Sequence, residues 1–328
     1  MLRWGILGTS FISNTVVEAI QKSSKSSVQA VFGRSPEKLA KFADKYNISS
    51  RHTSIESLLD DAEVDVIYVG LPSHLHHDAV LASLKRGKPC LSEKSLATTM
   101  EDAIAMANAH KTSNTFFLEG LMYLSHPLMR KTAEIIKSGE LGQIRSFSGH
   151  YAANIWSKAN PLGKGTIYNL GCYPVSLVHF IMETAFGSDA FTSRASVQGT
   201  GNRSETTGVI EEANLSVRFD NGTLATILST DRYGSGFGFT ALGDKGVLRF
   251  KTNPWLPRAG DSIIEIQPYG QDARQIVVSS PHDAFEWQVK TVEDCLASGK
   301  LEAERPSPNI TQSVEIMGLL TEWENSIA

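Results

Sequence analysis

Trp4-Gly5-Ile6-Leu7-Gly8-Thr9-Ser10-Phe11-Ile12-Ser13 decides how the chain is read. It passes from an apolar strand, Leu2–Leu7, through a glycine into residues with helical spacing at Ile12, Val16, Val17 and Ile20. A strand–glycine–helix unit makes a tight turn, and the free N–H groups and positive dipole end of its helix can face a pyrophosphate. Set on the dinucleotide fingerprint, Gly8 is the first glycine, Ser10 stands at the second and Ser13 at the third. Ser10 puts a side chain where backbone would approach phosphate, although its hydroxyl can donate to a phosphate oxygen. Thr9, Phe11 and Ile12 complete the candidate nucleotide loop. By itself the segment equally describes a plain βα turn.

Outward from this turn, strand and helix signals alternate. Strands are expected at 28–32, 64–69, 89–92 and 115–118, and helices at 36–46, 54–60, 76–86 and 100–110. Pro36 sits in a first helical turn, where its missing N–H costs nothing. Residues 64–69 are nearly all apolar, as in a strand buried on both faces. The alternation predicts a doubly wound parallel sheet, an α/β dinucleotide-binding (Rossmann) domain over residues 1–123.

After Tyr123 the pattern changes. A helix at 126–138 is followed by longer alternating runs at 144–153, 210–219, 223–230, 246–250, 263–268 and 276–278. Asp220-Asn221-Gly222 signals a hairpin and suits a type I′ turn. The Gly/Ser/Thr-rich run 199–207 reads as a loop, and 285–296 and 312–323 as amphipathic helices. Residues 124–328 are therefore expected to form an α+β domain with an open, mainly antiparallel sheet.

The 328 residues carry a net charge of −4 and 41% apolar residues, ordinary for a soluble globular chain. No basic stripe suggests nucleic acid, and no apolar run is long enough for a bilayer. The first strand begins almost at Met1, leaving no room for a signal peptide. Cys90, Cys172 and Cys295 are an odd, widely spaced set, which argues for a reducing cytoplasm and against disulfides or structural zinc.

Two further positions bear on chemistry. At the end of the second strand, Val31-Phe32-Gly33-Arg34-Ser35-Pro36-Glu37-Lys38 offers no acid for an adenosine ribose. Arg34, Ser35 and Lys38 stand there instead, and a guanidinium pairs bidentately with a 2′-phosphate. The expectation is NADP(H) in preference to NAD(H). Lys94 follows the strand ending Leu91-Ser92-Glu93, so it emerges at the carboxyl edge of the sheet, where open α/β sheets build their ligand crevice. Partial burial would bring its pKa toward the working range, and as a cation it would stabilise a developing alkoxide.

With these residues in view, the chain resembles the glucose–fructose oxidoreductase/inositol dehydrogenase/MocA family along nearly its whole length. The landmarks are Gly-Ile-Leu-Gly-Thr-Ser from Gly5, Leu-Pro-Ser-His-Leu-His-His from Leu71, Gly-Lys-Pro-Cys-Leu-Ser-Glu-Lys-Ser from Gly87, Glu-Gly-Leu-Met-Tyr-Leu-Ser-His-Pro from Glu119 and Tyr-Asn-Leu-Gly-Cys-Tyr-Pro from Tyr168. It looks most like the branch holding dihydrodiol dehydrogenase and xylose dehydrogenase. The resemblance implies hydride transfer between NADP(H) and a secondary alcohol or carbonyl of a sugar, lactol or small diol. It implies Lys94 and Tyr173 as catalytic residues, and a homo-oligomer, dimer or tetramer. Leu71, Pro72, His76 and Glu93 join the cofactor side; Asn169, Tyr173, Lys164 and Tyr123 join the substrate side.

Four departures stand out. Ser95 replaces the usual proline of Glu-Lys-Pro, Asn169 a usual aspartate, Lys164 a second glycine and Leu124 an arginine. An amide at position 169 can orient a hydroxyl but cannot take its proton, and Asn169→Asp reads as restoring the usual arrangement. His74, His76 and His77 have poor zinc spacing, and no metal is expected. His179 reads as a helix-face histidine, Phe116, Phe117 and Tyr123 as core, and Glu119 and His126 as substrate-side or buttressing residues. The rival function is a nucleotide-sensing regulator on the same fold, without turnover.

Overall fold

The computed structural model describes residues 1–158 and 160–327. They form two compact units, one of Met1–Ser125 with Phe285–Val314 and one of His126–Ala284 with Glu315–Ala328.

In the first unit β1 (Leu2–Leu7), α1 (Phe11–Lys22), β2 (Ser26–Phe32), α2 (Pro36–Tyr46), β3 (Ser50–His52), α3 (Ile55–Leu59), β4 (Val66–Val69), α4 (His76–Lys85), β5 (Cys90–Glu93), α5 (Met100–Ser113) and β6 (Phe117–Gly120) follow in order. The six strands are parallel in the order β3-β2-β1-β4-β5-β6. The order reverses between β1 and β4, which opens a crevice at their carboxyl ends. β4, β5 and β6 are buried throughout; β4 is apolar along its length, whereas β5 and β6 begin apolar and bury Ser92, Glu93 and Glu119 toward their carboxyl ends. The short edge strand β3, Ser-Arg-His, has no such run and gives no strand signal in the sequence.

Phe285–Val314 corrects the expected boundary, which put everything after 123 in the second domain. α8 (Ala284–Ala297) lays Val289, Val292 and Cys295 into the cluster of Trp4, Ile20 and Phe116. Its Glu293 accepts hydrogen bonds from Ser23 and Ser26. Linear order cannot reveal this: an amphipathic helix shows that it has an apolar face, not which sheet covers it.

The second unit contains α6 (Pro127–Ser138), β7 (Ile144–Ala153), α7 (Cys172–Phe186), β8 (Arg194–Arg203), β9 (Ile210–Phe219), β10 (Leu224–Thr230), β11 (Ser235–Gly243), β12 (Gly246–Phe250), β13 (Gly260–Pro268) and β14 (Arg274–Ser280). α9 (Ile310–Asn325) begins in the first unit and ends in the second. The eight strands run β14-β13-β12-β11-β7-β10-β9-β8, antiparallel except for β7 beside β10.

Three local expectations change. The expected loop 199–207 begins inside an edge strand, since β8 pairs Gly199 with Leu215 and Gly201 with Ala213. The glycines are there for close approach: a Cβ at Gly199 would lie 2.8 Å from Trp323 and 2.6 Å from Ser326, both at the end of α9. β11, equally rich in glycine, carries no clear strand signal in the sequence yet pairs along β7. The hairpin at 220–222 forms, but not as type I′. Gly222 has φ +85°, whereas Asn221 is absent from the positive-φ residues. The N–H of Gly222 reaches Phe219 O and that of Phe219 reaches Thr223 O, a three-residue loop ending in left-handed glycine.

Candidate active site

A cleft of about 540 Å³ opens at the switch point of the parallel sheet. Gly8, Thr9 and Ser10 line it from the end of β1, Arg34, Ser35 and Lys38 from the end of β2, and Leu71 and Pro72 from the end of β4. Gly8 has φ +108°, and a Cβ there would lie 2.8 Å from the Gly70 carbonyl oxygen. Only glycine lets β1 turn this tightly beside β4. Ser10 and Ser35 cap α1 and α2, so two helix N-termini flank the cleft. Ser10 Oγ accepts from the Ser13 N–H at 3.3 Å and donates to Gly70 O at 3.2 Å. Its hydroxyl is thus engaged in holding the turn while Ser10 lines the cleft. Phe11 is 68% exposed and Ile12 half-buried at the start of α1. Arg34 and Lys38 are exposed at the rim, with no carboxylate among the cleft residues. These features fit a dinucleotide: two helix N-termini, whose dipoles favour an anion, flank a cleft with a cationic rim.

Lys94 follows β5 directly and is half-buried, and its peptide bond to Ser95 is cis. The fully buried His76 ties this loop to the cleft. Its Nδ1 lies 2.9 Å from Ser95 O and its Nε2 2.8 Å from Leu71 O. Burial lowers its pKa, against the two carbonyls, which raise it. His76 therefore acts through the loops it joins rather than by presenting an exposed ring. His77 pairs with its neighbour Asp78 at 2.8 Å, so the three histidines do not converge.

Glu93 is buried and accepts from the Tyr68 hydroxyl at 2.9 Å, and burial raises its pKa. Glu119 lies in β6 opposite Ser92, one residue from the Glu93–Gly120 pair. It is 3% exposed, its Oε2 has no hydrogen-bond partner among the described residues, and burial pushes its pKa up to about 7. Tyr123, with Phe116 and Phe117, is buried, which supports the core reading and leaves no exposed surface for a substrate.

In the second unit, residues 167–171 form a π-helix that runs into α7. This wider turn carries Asn169, and Tyr173 follows in α7; such irregular turns recur at functional sites. The Tyr173 ring meets Tyr151 edge-on at 5.3 Å and Trp255 at 6.3 Å. Burial, with Cys172 and Asp231 nearby, pushes Tyr151 up to about 12, so Tyr151 stays a neutral phenol. Asn169 Nδ2 donates to Asp231 Oδ2 at 3.0 Å. Lys164 adopts φ +62°, matching the glycine that the resemblance implies there. Its Nζ sits 3.1 Å from Glu324 Oε2, which also accepts from the Tyr168 hydroxyl at 2.7 Å. That pairing holds the Lys164 ammonium to the end of α9. His126 caps α6, its Nδ1 accepting from the Leu128 N–H at 3.1 Å, and burial lowers it to about 4. His179 pairs with Glu315 at 2.6 Å, a buried helix-face histidine.

Sequence reasoning missed Asp231, Tyr151, Trp255 and Glu324. Asp231 and Glu324 sit past the end of β10 and in the last turns of α9, where a charged residue reads as solvated surface.

The three cysteines are free and buried. No helix among the described residues is long and apolar enough to cross a membrane, and no group of three metal-ligating side chains is gathered among them.

A family model described as "Oxidoreductase family, NAD-binding Rossmann fold" matches residues 2–120, and the "GFO/IDH/MocA C-terminal domain" matches residues 129–249. The chain is 26% identical to D-xylose 1-dehydrogenase (NADP(+)) 2 of Haloferax volcanii, over 96% of this chain and 94% of that one. It is 29% identical to trans-1,2-dihydrobenzene-1,2-diol dehydrogenase of Xenopus laevis, over 78% and 77%. Its fold superposes on KijD10, a 3-ketoreductase from Actinomadura kijaniata in complex with NADP and TDP-benzene, with TM-score 0.86 at 21% identity, covering 99% and 98%. The levoglucosan dehydrogenase structure, with NADH and levoglucosan, gives TM-score 0.82 at 18% identity, covering 99% and 96%. Parallel sheet, switch-point cleft, trailing lysine and second sheet all lead to one assignment: the chain belongs to the Gfo/Idh/MocA family of oxidoreductases.

Proposed function

We propose that this enzyme is NADP(H)-dependent and works on a secondary alcohol or carbonyl of a sugar, lactol or small diol. When bound, the nicotinamide cofactor supplies the hydride or accepts it. Gly8, Thr9 and the N-terminus of α1 bind the pyrophosphate, Arg34 and Lys38 pair with the 2′-phosphate, and Leu71 and Pro72 close the side next to β4. Lys94 stabilises developing negative charge on the substrate oxygen, and Lys94 and Tyr173 move the hydroxyl proton. Asn169 orients a substrate hydroxyl.

The observation that carries this reading is the His76 bridge. By holding both Leu71 O and Ser95 O, it joins the nucleotide cleft to the loop of Lys94, which supports reading cation and cleft as one site. The names of the relatives support the substrate class, and the D-xylose relative supports NADP(H). The absence of an acid at the end of β2 points the same way. A homo-oligomer, dimer or tetramer, belongs to the same proposal, supported by the alternation of buried and exposed residues along β9 and β10, which leaves one sheet face open. The deciding experiment follows absorbance at 340 nm with NADPH, NADH and their oxidised forms against a panel of aldoses, ketoses and vicinal diols. Turnover with NADP(H) above NAD(H) is expected. Tight NADPH binding without turnover on any panel member would refute the catalytic reading in favour of a sensor.

A further inference from the structure

We propose that Glu119 is a positioning residue of the reaction, a buried carboxyl on the strand beside Lys94 that sets how much positive charge the lysine presents to the substrate oxygen by holding or releasing one proton. The proposal rests on the oxidoreductase reading above and deepens it by naming a group that regulates the same site.

β6 pairs with β5 in register, Ser92 beside Glu119 and Glu93 beside Gly120. Neighbouring strands lie about 4.8 Å apart, so the Glu119 backbone stands one strand spacing from Ser92, two residues before Lys94. The strand ends therefore gather two carboxyls and one ammonium within a few residues. Gly120 keeps them tight: a Cβ there would lie 3.0 Å from Ser92 O and 3.2 Å from Glu93 Cα. The two carboxyls differ in how they are held. Glu93 Oε1 accepts from the Tyr68 hydroxyl at 2.9 Å and its Oε2 from the Lys94 N–H at 3.3 Å, so both oxygens meet donors. Glu119 is buried, and its Oε2 has no hydrogen-bond partner among the described residues. Ser313 Oγ, buried at the start of α9, stands near the carboxyl without a direct hydrogen bond.

A carboxylate oxygen buried without a donor is unfavourable, and a proton removes its charge. Of the two carboxyls, Glu119 is therefore the one that takes a proton up. The electrostatics agree. Burial raises its pKa to about 7, the Ser313 hydroxyl and the Leu96 backbone pull it down, the Glu93 charge adds to the rise and the Lys94 charge opposes it. Glu93 and Lys94 are the charged groups that act on it among the described residues. The interaction is mutual: the charge of Glu119 acts on Lys94 as that of Lys94 acts on Glu119. With the proton on, Glu119 offsets none of the Lys94 charge, and the ammonium stabilises an alkoxide in full. With the proton off, the carboxylate cancels part of that charge. The alkoxide-like transition state is common to both directions of hydride transfer, so ionisation of Glu119 slows both. Glu119 makes no bond to the substrate; it acts through Lys94.

The experiment uses the full-length chain as wild type, Glu119→Gln, Glu119→Asp, Lys94→Met and Lys94→Met/Glu119→Gln. Glutamine copies the protonated carboxyl and does not titrate. In the first arm kcat is followed from about pH 5.5 to 8.5 at saturating cofactor, with the member of the sugar and diol panel that the wild type turns over fastest. The ratio of wild-type kcat to that of Glu119→Gln is expected to fall about 3- to 10-fold as pH rises through 7, with KM within about threefold. Glu119→Asp, which still titrates, keeps a fall of its own. A merely structural Glu119 would change the rate by one factor at every pH, and a flat ratio overturns the proposal. The second arm needs no turnover. The Tm of the wild type minus that of Glu119→Gln falls as pH rises and levels off once the folded carboxyl is ionised. In the Lys94→Met background the levelling point is expected to move up by about one pH unit, because the cation that opposes the rise is gone. An unmoved levelling point overturns the coupling of Glu119 to Lys94. If the wild type turns over no panel member, the oxidoreductase reading fails and the role in the reaction falls with it, while the melting arm still decides the coupling.

Discussion

Replacing Arg34 by aspartate tests the choice of cofactor at its source. Arg34 stands at the rim of the cleft, one residue beyond Gly33 at the end of β2 and beside the cap of α2. A charge-assisted contact to a 2′-phosphate is worth about 1.5–3 kcal/mol, hence about 10- to 150-fold in affinity. Aspartate adds repulsion between like charges, roughly 1 kcal/mol at about 4 Å in water-like surroundings. Because Arg34 is exposed, both effects are screened, and the total is expected to stay within the range of the lost contact alone. The Kd for NADPH, read by quenching of protein fluorescence, should therefore rise about 10- to 100-fold, while the Kd for NADH changes by less than about threefold. The wild-type preference should also shrink as salt is raised from 0.05 to 0.5 M, a range over which the Debye length falls below about 5 Å. Equal weakening for both cofactors would refute the reasoning, because it would show that Arg34 supports the loop and does not read the phosphate.

Lys94→Met keeps the length of the stem and removes the charge; kcat should fall about 10²- to 10⁴-fold with NADPH affinity held within a few-fold, and near-normal turnover would end the assigned role. Tyr173→Phe should depress kcat strongly and change the pH profile with the melting temperature nearly intact; full activity would place the proton elsewhere. Glu119→Gln tests a buried carboxyl. Its pKa is raised from 4.5 to about 7, so its stabilising contribution is complete below about pH 4.5 and is lost as pH rises through 7. At about 1.4 kcal/mol per unit over about 2.5 units the full loss is about 3.5 kcal/mol, most of it between pH 5 and 8, where the wild type should lose several degrees of Tm relative to the glutamine variant. Parallel Tm curves for the two proteins across that range would show that Glu119 titrates normally.

Much of the first unit was legible because its signals are local. β1, the turn at Gly8 and the start of α1 follow from the alternation of apolar runs with glycine and helical spacing, and the positions of Arg34 and Lys94 follow from the strands they end. A residue's place at the carboxyl end of a parallel strand needs only the strand to be right. The glycine-rich strands β8 and β11 escaped because their pairing is decided by neighbours elsewhere in the chain: Trp323 needs the space at Gly199, and β11 is ordered by β7. Likewise, the sequence shows that α8 has an apolar face but not that Trp4 and Phe116 receive it.

From the sequence alone came the family, the parallel sheet, the cleft residues and the lysine, all readable over a few residues or one helical turn. Only the tertiary structure decided that Lys164 belongs to Glu324, that His126 caps a helix, and that Asn169 faces a carboxylate sixty-two residues away. The first and last of these are contacts between side chains far apart in the chain, and the His126 cap is a local bond to Leu128 that an isolated histidine does not announce. Burial and hydrogen-bond satisfaction act on such contacts only after the backbone has folded, so they leave no periodicity in the sequence to read.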